Sequence, residues 1–283
     1  MNPATLVSTA RTLRFVPGDR PERFAKAVAS GADLVVADLE DAVAPGQKQQ
    51  ARANVAEWLD TAPVAAVRVN GAGTPWHKDD LAMVSGRACV VLLPKAEDVA
   101  LVAAVTARLA DGSALVALVE TARGVLAVSD LAHGVEVARL AFGSFDLAAE
   151  LGVSPDDREA MAPARGALVL ASAAAGLPPP VDGVTGYVPD VGALRADVEH
   201  ARRLGFTGKL CIHPRQVEPA AEALSPSHAE ILWAQAVVQA AATTGGVAVI
   251  EGRMVDKPVL DRAARLLAGQ RASRTAYGAG KGS

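Results

Sequence analysis

The stretch SALVALVETARGV, residues 113–125, runs through six apolar residues and stops at Glu120. Such a run reads as a strand buried on both faces, the pattern of a parallel sheet covered by helices. A carboxylate closing a buried strand is costly unless something pairs with it, so the first question is what Glu120 faces. The same figure recurs along the chain. Apolar runs stand at LRFVPG (13–18), DLVVADLED (33–41), VAAVRVNG (64–71), CVVLLPK (89–95), ALVALVE (114–120), RLAFGS (139–144), PPVDGV (179–184) and GKLCIHP (208–214). Between them lie amphipathic segments such as GQKQQARANVAEWL, EDVALVAAVTARLA and VGALRADVEHARRLG. Eight strand–helix repeats predict an α/β fold, a (β/α)8 TIM barrel. A length of 283 residues with 51% hydrophobic content supplies a core of that size, and aromatics at 4% fit helices packed on branched aliphatics.

The barrel is expected to occupy residues 1–225. SPSHAEILWAQAVVQAAATTGG (225–246) reads as a helix with Ser225 or Ser227 as N-cap. VAVIEGRMVDKPVLDRAARLLAG (247–269) reads as a hairpin or extended piece followed by a helix from near Pro258. Residues 226–270 are therefore a C-terminal helical extension, and the Gly- and Ser-rich 271–283 is expected to be a disordered tail. A net charge of -3 with no Lys/Arg block gives no nucleic-acid surface. Cys89 and Cys211 sit inside apolar runs and read as small buried hydrophobes in a reducing compartment. With no long apolar segment at the N-terminus or elsewhere, neither a signal peptide nor a membrane span is expected, and the chain reads as cytoplasmic.

In such a barrel the active site lies at the C-terminal ends of the strands. Those ends carry Asp19 and Arg20, Glu40 and Asp41, Arg68 and Asn70, Lys95, Glu120, Asp146 and His213. Glu40, Asp41 and Arg68 are taken as catalytic candidates. Glu120 and Asp146 on neighbouring strand ends repel unless they share a cation or a proton. With no His or Cys beside them, a hard divalent ion is favoured: Mg²⁺, with Mn²⁺ also fitting. The alternatives are a salt bridge from Glu120 to Arg68 or Arg123, and an N-cap role for Asp146 on a helix from Leu147. Arg68 is read as a clamp for a substrate carboxylate, the alternative being pairing to Glu40, Asp41 or Glu120. The amides of Thr121 and Ala122, opening the next helix, could hold an anionic oxygen. His213 is open between a base and a core histidine. Cys211 lacks a third group to orient a Cys–His couple. His77, His133, His200 and His228 read as surface residues, and no zinc spacing occurs.

Together FVPGDRPERFAKA, ADLEDAVAPGQKQQAR, VRVNG, LLPKAED, VETARGV, FGSFDLAAELG, GKLCIHPRQV and EGRMVDKPVL resemble the citrate lyase β-subunit-like proteins of the HpcH/HpaI aldolase superfamily, from about residue 12 to about 268. The resemblance implies a (β/α)8 barrel and Mg²⁺-dependent, reversible cleavage of a 3-hydroxyacyl thioester into a 2-keto acid and acetyl-CoA. It implies that Glu120 and Asp146 bind the metal and Arg68 the keto-acid carboxylate. It further implies that Asp256, on a C-terminal lid covering a neighbouring subunit's site, moves the proton, and that the chain forms trimers or hexamers. Arg20, Arg23, Lys26, Lys48 and Arg52 would receive the phosphates of the CoA tail. Many members carry an acidic residue before the metal Asp, where this chain has Phe145. Citramalyl-CoA or malyl-CoA is the expected substrate type. The alternatives are a carrier-dependent citrate lyase β-subunit, a metal-dependent pyruvate aldolase of free hydroxy-keto acids, and a non-catalytic barrel.

Overall fold

Branched aliphatic runs become strands β1 (Thr12–Pro17), β2 (Leu34–Asp38), β3 (Ala66–Arg68), β4 (Val90–Leu93), β5 (Ala114–Val119), β6 (Val137–Phe142), β7 (Val181–Asp182) and β8 (Gly208–Cys211). They pair in parallel in chain order, and β8 returns to β1, closing the barrel. This computed structural model describes residues 2–62, 65–134, 137–244, 248–250 and 253–267. The chain divides into two compact units, Met1–Ala221 and Glu222–Ser283.

Side chains alternate across each strand. One set, including Leu13, Leu34, Val36, Leu92, Val116, Leu118 and Leu210, fills the barrel interior. The other, including Val35, Val67, Val91, Val119 and Phe142, packs against the helices. Each such side chain contributes about 1.5–3 kcal/mol by leaving water. The helices are α2 (Phe24–Val28), α3 (Lys48–Thr61), α4 (His77–Val84), α5 (Val99–Thr106), α6 (Ala122–Gly134), α7 (Ser144–Leu151), α8 (Arg158–Ala174), α9 (Val191–Leu204) and α10 (Pro214–Leu224). The Pro178–Pro180 run supplies no backbone donors, which limits β7 to two residues.

An unanticipated helix, α1 (Pro3–Thr9), precedes the barrel. Asn2 caps it, its side chain accepting the Thr5 N–H at 2.7 Å. Val7 and Ala10 join the interior cluster at the N-terminal end of the strands. Arg139, fully buried on β6, donates to the carbonyls of Val7 (2.9 Å), Ala10 (2.6 Å) and Pro179 (2.7 Å) and to Thr207 Oγ1 (2.9 Å). It has no carboxylate partner among the described residues, and burial lowers it to about 10.

The division between the units falls inside α10, ahead of the boundary expected after residue 225. In the second unit, Ser227 caps α11 (His228–Thr244): its Oγ accepts the Glu230 N–H at 3.2 Å, while Glu230 accepts the Ser227 N–H at 2.8 Å. Of the two forms open for the next segment, the hairpin is the one present, β9 (Ala248–Ile250) antiparallel to β10 (Arg253–Val255), followed by a helix over 257–267. This unit has its own apolar cluster of Ala234, Val237, Val255 and Ala263. The expected tail, 271–283, lies outside the described residues.

Candidate active site

The period of two that turns Leu34 and Val36 inward also turns Asp38 and Glu40 inward at the mouth of the barrel. Asp38 is buried, its carboxylate accepting the backbone N–H groups of Glu40 (2.9 Å) and Ala42 (3.2 Å). Arg68, ending β3, donates to it through Nε (2.8 Å) and Nη2 (2.6 Å). Its Nη1 lies 3.0 Å from Glu40 and 3.3 Å from Asp41, and its guanidinium stacks on Phe15 at 5.0 Å. Burial alone would lower the Arg68 pKa, but Asp38, Glu40 and Asp41 outweigh it and raise it. Arg68 is thus held by acids at the end of β2 and just after it, as its alternative reading had it, and Asp38, which the motif reading passed over, is its main partner.

Glu120 ends β5 at 2% exposure. Neither expected ion pair forms: Arg123 lies 3.9 Å from Glu97, and Glu120 has no ion pair among the described residues. It accepts one hydrogen bond, from the Lys95 amide at 2.9 Å. Burial, reinforced by Glu40 and Asp146, pushes its carboxyl up to about 8. Burial likewise pushes Glu40 to about 7 against the pull of Arg68. Gly143, at the end of β6, passes so close to Glu120 that a Cβ there would overlap its side chain. Asp146 corrects an expectation. The N-cap of α7 is Gly143, and Asp146 sits in the first turn of a helix beginning at Ser144. Its side chain has no hydrogen bond or ion pair to a described residue.

A buried carboxylate short of positive charge, beside a second free carboxylate, fits a hard cation. Among the described residues no group of three His, Cys, Asp or Glu forms a metal cluster. Two carboxylates, with further oxygens from ligand and water, match the habit of Mg²⁺.

Lys95 joins this ground through both ends. Its φ of +50° is the one positive value among the described non-glycine residues. Its Nζ lies 3.9 Å from Glu40 Oε1. Glu40, Lys95, Thr74, Asp98 and Arg123 line a cavity of about 690 Å³. A second cavity, about 320 Å³, lies beside β1 and the end of β8. Arg14, Arg23, Lys26 and His213 line it with no carboxylate among its walls. Arg14 is 6% exposed; its Nη1 donates to the Lys26 carbonyl at 3.2 Å, while its Nε has no partner. His213 is lowered first by burial and then by Arg215, Arg14 and Lys26.

Several expected binding residues are occupied elsewhere. Lys48 is buried, its ammonium donating to the Leu39 and Glu40 carbonyls and to Asn70 Oδ1, each at 2.7 Å. A lysine opening a helix reads as solvated, but here it braces the loop after β2. Arg52 is tied to Asp80 at 2.8 Å and Asp79 at 3.4 Å. Neither is free for a phosphate. Arg20 and Lys26 are exposed, Arg20 lying 4.0 Å from Asp19. The Ala122 amide is taken by Glu150 at 2.9 Å, and Thr121 Oγ1 accepts the Gly124 N–H at 3.0 Å. His77 is a core residue, Nδ1 lying 2.7 Å from the Asn70 carbonyl, and His200 is half-buried. Burial pushes the Cys211 thiol up to about 12, which disfavours a thiolate nucleophile. In the second unit, Asp256 is exposed at the start of the helix over 257–267, its Oδ1 accepting the Val259 N–H at 3.3 Å.

The sequence model of the HpcH/HpaI aldolase/citrate lyase family matches residues 11–214. A citrate lyase subunit beta-like protein of Mycobacterium tuberculosis is 37% identical over 260 residues, covering 89% of this chain and 93% of that one. A (3S)-malyl-CoA thioesterase of Cereibacter sphaeroides is 40% identical over 256 residues, covering 87% and 89%. The crystal structure of CitE from Mycobacterium tuberculosis, in complex with magnesium, acetoacetate and coenzyme A, superposes with a TM-score of 0.82 at 35% identity, covering 93% and 99%.

Proposed function

We propose, from the premise that this chain belongs to the HpcH/HpaI aldolase/citrate lyase family, that it is a Mg²⁺-dependent carbon–carbon lyase. Its substrate would be a 3-hydroxyacyl-CoA thioester of the citramalyl-CoA or malyl-CoA type, cleaved reversibly to a 2-keto acid and acetyl-CoA. The observation that carries the reading is Glu120, buried within reach of the charges of Glu40 and Asp146 and with no ion pair among the described residues. The magnesium, acetoacetate and coenzyme A bound to CitE, and the activity named for the malyl-CoA relative, support the same chemistry.

Glu120 and Asp146 would hold the ion. When bound there, a divalent ion supplies Lewis-acid stabilisation of charge developing on oxygen. Arg68, fixed by Asp38, Glu40 and Asp41, would orient the substrate carboxylate and so align the scissile bond. Cleavage needs the hydroxyl proton removed as its O–H electrons become the new C=O, and a proton returned to the carbon that leaves as the thioester enolate. Asp256 of a second copy would handle that proton, from a lid that excludes water. A homotrimer, or a hexamer built from two such trimers, is the proposed assembly. The phosphates of the tail would run past Arg20, Arg23 and Lys26 into the cationic cavity at Arg14. No helix among the described residues is long and apolar enough to cross a membrane. With Cys89 and Cys211 both buried as free thiols, a cytoplasmic setting is part of the proposal.

The test is an assay of citramalyl-CoA, malyl-CoA, citryl-CoA and 3-hydroxy-3-methylglutaryl-CoA, with Mg²⁺ or EDTA. Metal-dependent release of a keto acid together with acetyl-CoA is expected. Free CoA without a keto acid would favour the thioesterase activity of the relative. Turnover of free hydroxy-keto acids alone would make the chain an aldolase and overturn the thioester reading.

A further inference from the structure

Arg68 reaches the mouth already engaged. Nε and Nη2 lie on Asp38, and Nη1 lies on Glu40 and Asp41. One guanidinium therefore answers three carboxylates, and Glu40 in turn acts on Glu120. A keto-acid carboxylate arriving beside Arg68 meets Asp41, and Glu40 when it is ionised, as like charges, and a divalent ion held by Glu120 and Asp146 has its two charges matched by those two carboxylates. The site calls for a second cation.

Lys95 is placed to be it. The distance of 3.9 Å from Nζ to Glu40 Oε1 is an ion pair but too long for a hydrogen bond. The side chain is 49% exposed and lines the larger cavity together with Glu40. The other ammonium near the cluster, that of Lys48, is spent on three oxygens. The main chain of Lys95 adds an independent observation. A left-handed conformation costs a non-glycine residue about 1–2 kcal/mol, and such strain persists where the surroundings over-determine it, often at functional sites. The turn at Lys95 aims its amide at Glu120 Oε1 (2.9 Å) while the ammonium stands beside Glu40. A glycine would make the turn freely but carry no charge.

We propose that Lys95 contacts substrate, its ammonium receiving the carboxylate of the 2-keto acid jointly with Arg68. The proposal rests on the keto-acid lyase reading of the site. A compact ammonium with three donors on a flexible stem can turn from Glu40 to a ligand without disturbing the fixed Arg68–Asp38 fork.

The test is calorimetric binding of pyruvate, and separately of Mg²⁺ alone, to wild-type protein and to Lys95→Met and Lys95→Arg. Both variants keep the amide that Glu120 accepts. Lys95→Met is expected to weaken pyruvate about tenfold or more and Lys95→Arg by about threefold or less, with Mg²⁺ affinity within about twofold of wild type. Pyruvamide, which lacks the carboxylate, is expected to bind wild type and Lys95→Met alike. Equal pyruvate affinity in wild type and Lys95→Met would overturn the proposal. So would a parallel loss of Mg²⁺ affinity, which would make Lys95 a support for Glu120. Absence of pyruvate binding in Mg²⁺-loaded wild type would overturn the keto-acid reading, and the proposal with it.

Discussion

In metal-free protein, protonation of Glu120 and Glu40 is part of folding. Both carboxyls are raised by burial, to about 8 and about 7, above the usual 4.5. A group whose folded pKa is raised contributes stability below its unfolded pKa and loses it as pH climbs through the folded value. In EDTA the melting temperature should therefore fall between about pH 5 and about pH 9. Glu120→Gln removes much of that slope, and at about pH 9 it should melt about 3–8 °C above wild type, read by scanning calorimetry. Mg²⁺ should stabilise wild type and leave Glu120→Gln unmoved. Gly143→Ala should push Glu120 aside and lower metal-dependent turnover by about a hundredfold or more while the barrel stays folded, read by paired kinetics and circular dichroism. Glu120 was legible in the sequence because it breaks an apolar run at a strand end. Asp38 was not, although the same inward parity marks it, because the eye goes to the acids that follow it in DLED.

The strands were legible because a two-sided burial selects unbroken Val, Leu and Ala. What escaped the sequence had no periodic signature. Helix α1 has seven residues, too few for a helical stripe; its place depends on Arg139, distant in sequence. Helix α7 begins at Ser144, ahead of the Leu147 start the sequence offered, because FGSFDL looks like the run-out of β6. The inward turn of Lys48 and the core position of His77 follow from Asn70, Asp80 and nearby carbonyls gathered by the fold, which no local pattern announces. Arg139→Met should strip donors from the Val7, Ala10 and Pro179 carbonyls. A cost of about 2–4 kcal/mol is expected, lowering the melting temperature by about 5–12 °C, with keto-acid affinity unchanged at temperatures where the protein is folded.

At the scale of the molecule, two units each carry an apolar core. The proposed sharing of the site between copies has a direct check. Asp256→Ala and Arg68→Ala chains, each inactive alone, should regain a fraction of wild-type turnover when mixed under conditions where subunits exchange. No recovery in exchanged oligomers would place both groups in one chain.

The acid-free cavity walled by Arg14, Arg23, Lys26 and His213 gives a chain of net charge -3 a cationic port. The proposed keto-acid end, at Arg68, is ringed by acids. A ligand with phosphates at one terminus, such as the proposed thioester, would thereby be oriented before it reaches the proposed site. Encounter should be tail-first and faster than for the bare acid, and the association rate should drop steeply as ionic strength rises, while the rate of the bond-breaking step, once the ligand is seated, stays flat.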